Sequence, residues 1–198
     1  MILDRITRQA MVLVGFMGTK GSGKSAASSY LVNKYNYVEK SFAEPLKKAC
    51  QELFLLNDDQ VFGTQLQKET PDPRWDNCTP RQILQYVGTD LLRDQLNKLV
   101  PSLDKNIFIY RFKLWYDAEI QANKNLCVVI SDVRFQNEIE IIRSMGGIVI
   151  KLDRPGAQPE DTHQSEIEMA SITNYNYLIR NTGTIQDLHH EIDKCISF

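Results

Sequence analysis

The chain has 198 residues, enough to bury a core in one domain of ordinary size. Its apolar fraction of 42% is that of a folded globular protein and argues against disorder. A net charge of −2, with both signs mixed along the chain, disfavours a general nucleic-acid binder or a protein held to an acidic membrane. Met1 to Ala10 is half polar and lacks the apolar stretch of a signal peptide, and no apolar run is long enough to span a bilayer. Cys50, Cys78, Cys127 and Cys195 are widely spaced, with no CxxC pair and no histidine cluster, so zinc and redox motifs lack support. Free thiols in a reducing compartment are expected, and with them a cytoplasmic location.

In chain order, Met11 to Met17 is a continuous apolar run and reads as a strand buried on both faces. A glycine-rich segment follows at once, then helical spacing over 24–34. A second strand is expected over 37–42. Pro45 opens a helix to about Leu56. The polar stretch 57–79 reads as a short helix over 58–66 and then a loop. Pro80 starts a longer helix to about Leu99, and another runs over 105–122. Leu126 to Ser131 is a second buried strand. A helix over 136–145 stops at Gly146-Gly147, and a strand follows to Leu152. The polar segment 153–170 reads as a short lid. A last strand at Tyr177–Arg180 precedes a closing helix over 184–196. Strongly apolar strands alternating with helices predict a three-layer α/β/α fold with a mainly parallel, five-stranded sheet.

In such sheets the site lies beyond the carboxyl ends of the strands. Four polar groups follow the predicted strands: Gly18 to Ser25, Glu44 to Lys47, Asp132 to Arg134, and Asp153-Arg154. The first, Gly18-Thr19-Lys20-Gly21-Ser22-Gly23-Lys24-Ser25, satisfies GxxxxGK[ST] between a strand and a helix, the context that the P-loop motif requires. Its backbone N–H groups and the helix N-terminus suit a phosphate. Lys24 is expected to bridge the β- and γ-phosphates of ATP, and Ser25 to ligate Mg²⁺. A guanine-reading NKxD segment is absent, which disfavours a GTPase.

Asp132 and Arg134 stand two apart and can leave one face of their strand. Asp132 suits Mg²⁺-bound water, and Arg134 a forked contact to a second phosphate; a plain ion pair at the strand end is the competing reading. Thr79 is an N-cap, and Arg81 in the first turn opposes the helix dipole, which suggests an anion there. Arg93 lies further along, near Asp90. His163, Ser165 and Glu166 fall in the lid, and His189-His190 read as surface. Tyr86, Trp75 and Phe112 are stacking candidates, though buried core is the commoner fate. A phosphate acceptor is already anionic, so no general base is required.

The P-loop, Phe42-Ala43-Glu44-Pro45-Leu46-Lys47, the LQxxGTDxxR run from Leu84 to Arg93, the DVRFxNE run from Asp132 to Glu138, and Asp161 to Glu166 together resemble the deoxynucleoside monophosphate kinases of phages and large viruses. The resemblance spans nearly the whole chain. It implies a single P-loop kinase domain, 1–198, with a helical acceptor-binding insert over about 44–124 and a short lid over about 153–170. It implies transfer of the γ-phosphoryl group of Mg·ATP to a (deoxy)nucleoside 5′-monophosphate. The ATP-binding residues implied are Gly18, Lys20, Gly21, Ser22, Gly23, Lys24, Ser25 and Ala26, with Asn181 and Gly183 lining the adenine. The acceptor set implied is Lys47, Arg81, Gln85, Arg93, Asp132, Arg134 and Glu166, with Arg154 as the lid arginine. Related phage enzymes suggest a homodimer. Two alternatives stay open. A P-loop kinase for phosphomevalonate or dephospho-coenzyme A would want a carboxylate base, and Glu44 is nearby. A non-catalytic ATP-binding module would show no acceptor-dependent turnover.

Overall fold

The computed structural model describes residues 13–156 and 171–197. The chain divides into two compact units. One comprises the segments up to Ser41 and from Tyr116 onward, and the other is the continuous stretch Phe42–Trp115.

The first unit is built on a five-stranded sheet in the order β2-β3-β1-β4-β5, where β1 is Leu13–Met17, β2 Val38–Lys40, β3 Val128–Val133, β4 Ile148–Asp153 and β5 Tyr177–Arg180. Every pairing is parallel. All five residues of β1 are buried, as the unbroken apolar run requires of a strand covered on both faces. On one face, Val14 and Phe16 pack with Ala27 and Leu31 of α1 (Lys24–Tyr35) and with Leu188 and Ile192 of the closing helix Ile185–Ile196. On the other face lies the helix Gln136–Ser144. A Cβ on Gly15 would sit 2.7 Å from Ile142 Cδ1 and 2.9 Å from Val133 Cγ2, so only glycine lets that helix approach β1 this closely. The expected three layers are therefore present, and the sheet is parallel throughout.

β3 differs from expectation in its bounds. It starts two residues late and runs through Val133, so Asp132 lies within the strand rather than after it. Val133 is 1% exposed and anchors the strand end in the core, which turns its neighbours Asp132 and Arg134 the other way. The register with β1 shifts between Gly15 and Met17, where the strand ends diverge.

The second unit is helical. α2 (Glu44–Phe54) begins with Pro45 in its first turn, as expected. Residues 57–79 are far more ordered than a polar loop. Two short helices, α3 (Asp58–Phe62) and α4 (Gln65–Glu69), each carry a capping box, from Asn57 with Gln60 and from Thr64 with Gln67. The single helix expected over 58–66 breaks between them at Gly63. Thr79 caps α5 (Pro80–Gln85) with Gln82. The expected long helix then widens into a π-helix over Tyr86–Gln95, which carries most of the LQxxGTDxxR run. Composition cannot distinguish a π turn from an α turn, and π segments collect at functional sites. α6 (Ile107–Ala122), which belongs to this unit only as far as Trp115, starts two residues later than expected because Asp104 and Lys105 hold positive φ, 39° and 63°, ahead of it.

Buried Asp72 ties the ordered stretch together. Its carboxylate accepts from Arg74 Nε at 2.9 Å and Nη2 at 2.6 Å and from Gln60 Nε2 at 2.9 Å. The Arg74 guanidinium, aided by Gln60, holds this carboxyl well below the usual carboxylate range. A depressed carboxyl stabilises the fold above its unfolded-state pKa, and the contribution is lost as pH falls through the folded value. Acid unfolding of the protein should therefore steepen below about pH 4. Asp72→Asn should be less stable at neutral pH and show a shallower acid limb, as read by denaturation midpoints against pH.

Candidate active site

The parallel sheet brings the carboxyl ends of its strands to one edge, and the sequence-predicted residues of this unit gather there. The P-loop follows β1, Asp132 and Arg134 close β3, Asp153 and Arg154 close β4, and Asn181 and Gly183 follow β5.

The P-loop is glycine-dependent for visible reasons. Gly18, Gly21 and Gly23 hold φ of 149°, 76° and 107°. A Cβ on Gly18 would meet the Leu152 carbonyl oxygen at 2.4 Å, whereas at Gly21 there is open space. The loop is thus packed on its β4 side and clear at its tip, where Lys20 and Gly21 are exposed. Gly23 caps α1, so the free N–H groups of that helix face the loop. Lys24 arches back over it, donating to the carbonyls of Gly18 at 2.6 Å and Thr19 at 2.8 Å. The Ser22 hydroxyl is fully buried and has no hydrogen-bond partner among the described residues. Ser25 is exposed at the second position of α1, and Ala26 is half-buried behind it.

Asp132 is half-buried and accepts from the Ser41 hydroxyl at 2.5 Å. Ser25 and Asp132 offer a hydroxyl and a carboxylate, a donor set that suits a hard cation arriving with a phosphate. Among the described residues, no group of three or more His, Cys, Asp or Glu side chains could hold a metal by itself. Arg134 is exposed, and its backbone is fixed by Glu138. That carboxylate, 1% exposed, accepts from the N–H of Arg134 at 2.8 Å and of Phe135 at 3.2 Å. Arg154 is exposed one residue past β4. Glu166, with His163 and Ser165, lies outside the described residues, as does the lid beyond Gly156. Asn181 is half-buried, and its Nδ2 donates to the Ser22 carbonyl at 2.9 Å. Gly183 is exposed before the Thr184 cap.

The cations of the helical unit have protein neighbours. Arg81 pairs with Glu69 at 3.1 Å and donates to Gln65 Oε1 at 2.6 Å, so the anion expected opposite this first-turn arginine is in part a carboxylate of α4. Arg93 lies over the Phe108 ring at 5.0 Å from its centroid, and Lys47 lies over Phe62 at 4.9 Å. Gln85 ends α5. A Cβ on Gly88 would meet Leu46 Cδ2 at 2.6 Å, which accounts for the glycine of LQxxGTDxxR as a close-packing residue. Of the stacking candidates, Phe112 is core against Phe42, Trp75 donates its indole N–H to the Phe54 carbonyl, and Tyr86 is exposed. His190 is exposed, while His189 is stacked on Tyr30. All four cysteines are free thiols.

The family model for deoxynucleotide monophosphate kinase matches residues 65–192. A protein of Acanthamoeba polyphaga mimivirus that carries the same family name is 57% identical over 94% of this chain and 96% of its own. The chain belongs to the deoxynucleotide monophosphate kinase family. The deoxynucleotide monophosphate kinase of Enterobacteria phage T4 is 29% identical over 59% of this chain, a match that spans 45% of the phage protein. Among solved structures, dephospho-CoA kinase from Campylobacter jejuni aligns with a TM-score of 0.49 at 16% identity, over 92% of this chain and 94% of that one.

Three side-chain contacts of this kinase escape a motif reading. Ser41 holds Asp132 from a different strand end, a pairing that only the topology creates. Glu138 sits inside the DVRFxNE run, yet nothing in its spacing says that it is buried or that it grips the backbone. Asn181 turns toward the phosphate loop. Among the described residues of the kinase, no helix is long and apolar enough to cross a membrane.

Proposed function

We propose that this kinase transfers the γ-phosphoryl group of Mg·ATP to a (deoxy)nucleoside 5′-monophosphate, giving the diphosphate. The observation that carries the reading is a complete phosphate cradle in a member of this family. Positive-φ glycines, a helix N-terminus and Lys24 converge on one loop. The donor triphosphate would lie along Gly18 to Ala26, with Lys24 on its outer phosphates. Ser25 and, through water, Asp132 would hold Mg²⁺, which neutralises charge on the transferring group. Arg134 and Arg154 would face the developing charge. Lys47, Arg81, Gln85, Arg93 and Glu166 would serve the acceptor, with 44–124 as the acceptor-binding region and 153–170 as the lid. Free nucleotides are then its partners, and the cytoplasm its compartment.

The reaction needs no base, because an acceptor phosphate oxygen is already anionic and transfer to it asks for alignment and charge neutralisation. The deciding experiment is ADP release from Mg·ATP in a coupled assay across deoxy- and ribonucleoside monophosphates. Acceptor-dependent turnover with at least one deoxynucleoside monophosphate is expected. ATP hydrolysis that ignores every acceptor would overturn the proposal. Arg154→Ala should lower kcat by about 10²-fold while KM for the acceptor changes less than threefold, the signature of an interaction made only in the transition state. An unchanged kcat would remove Arg154 from the mechanism.

A further inference from the structure

We propose that Asn181 is a positioning residue that sets the orientation of one P-loop peptide, and that it does not read the adenine base. The inference rests on the donor site proposed above and assigns a task within it. Asn181 follows β5, and its backbone N–H donates to the Asp153 carbonyl at 2.7 Å, which fixes it to the end of β4. From that anchored position its side chain reaches the phosphate loop and donates to Ser22 O at 2.9 Å. The partner is a carbonyl, so the nitrogen of the Asn181 amide has to be the atom facing it. The contact is also tight sideways: a Cβ on Gly23 would sit 2.6 Å from Asn181 Nδ2.

The consequence follows from peptide geometry. The carbonyl of Ser22 and the N–H of Gly23 belong to one trans peptide and point in opposite directions. Holding the carbonyl outward on Asn181 turns the Gly23 N–H the other way, toward the loop interior where a phosphate would bind. Without a tether this peptide has little to stop it rotating. Glycine at position 23 accepts either sign of φ, and here it stands at 107°. A rotated peptide would present a carbonyl oxygen, rather than an N–H, to an anion. Asn181 thereby keeps one donor of the cradle aimed, and it serves the phosphates whatever base they carry.

The test separates phosphate binding from base reading. Affinities for inorganic tripolyphosphate, ATP and GTP, each with Mg²⁺, are measured by calorimetric titration on the wild-type chain, Asn181→Ala and Asn181→Asp. The aspartate keeps the shape but cannot donate to a carbonyl, so it decides the matter if the alanine variant fails to fold. Both variants should lose about tenfold in affinity for tripolyphosphate and ATP alike, the equivalent of one net hydrogen bond, with the ATP-to-GTP ratio unchanged. Unchanged tripolyphosphate affinity, or a changed ATP-to-GTP ratio, would overturn the inference while leaving the donor site standing. A wild-type chain that binds none of the three ligands would overturn the donor reading, and this inference with it.

Discussion

Lys24→Ala should fold normally and lose at least about 10³-fold in acceptor-dependent turnover, roughly 4 kcal/mol of transition-state stabilisation. The ammonium lies at the mouth of α1 and donates to two loop carbonyls, Gly18 O and Thr19 O. Those bonds are local, and Lys24 is only half-buried, so its removal should cost little stability. An entering triphosphate offers the same ammonium full negative charges in place of carbonyl dipoles, so an ion–ion attraction replaces an ion–dipole one. Lys24→Arg should not restore activity. A planar fork directs its donors differently from a compact ammonium, so it would not reproduce the two short contacts that Lys24 makes to the loop. Circular dichroism and thermal melts check the fold, and the coupled assay reads the loss. A variant within tenfold of the wild type would show that the loop is not the donor site.

Glu138→Ala should destabilise the protein by about 3 kcal/mol and disturb the end of β3. The carboxylate is 1% exposed and receives two backbone N–H groups on one oxygen. Deleting it strands both donors at the start of a helix and leaves a cavity beside Ile139 and Ile142, themselves fully buried. Glu138→Gln keeps a carbonyl acceptor in nearly the same volume and should recover more than half of the loss. Chemical denaturation measures both. The Arg134 backbone is one of the two donors, so Glu138→Ala should also lower turnover beyond what its stability loss explains. Equal stability of the alanine variant and the wild type would show that the two bonds are dispensable.

Sequence periodicity was sufficient for the parallel sheet because its strands are buried on both faces. Leu13 to Met17 and Val128 to Ile130 are apolar without a break, and only glycine-rich or charged segments separate them from helices. The P-loop was legible for a different reason: its glycines answer steric demands that no other residue meets. The helical unit was read less well. There the decisive features are side-chain caps on five-residue helices, a π-helix, and left-handed residues such as Leu55, Asp76 and Asp104. None of these follows from apolar spacing. The partners of the site residues were hidden too. Ser41 with Asp132, Arg81 with Glu69, and Asn181 with Ser22 are contacts between separate elements, and a single sequence carries no trace of them.

The order of the strands also bears on how the chain is made. β1 is synthesised first yet occupies the middle of the sheet, and both of its neighbours, β3 and β4, lie more than a hundred residues downstream. As the chain leaves the ribosome, its most apolar strand has no edge to pair with until residue 128 has emerged. The continuous stretch Phe42–Trp115 is complete before then. Long-range parallel pairing of this kind is slow, and unpaired apolar strands aggregate. The period between the emergence of β1 and that of β3 is therefore when the nascent chain is most exposed to misassembly and has most to gain from a chaperone.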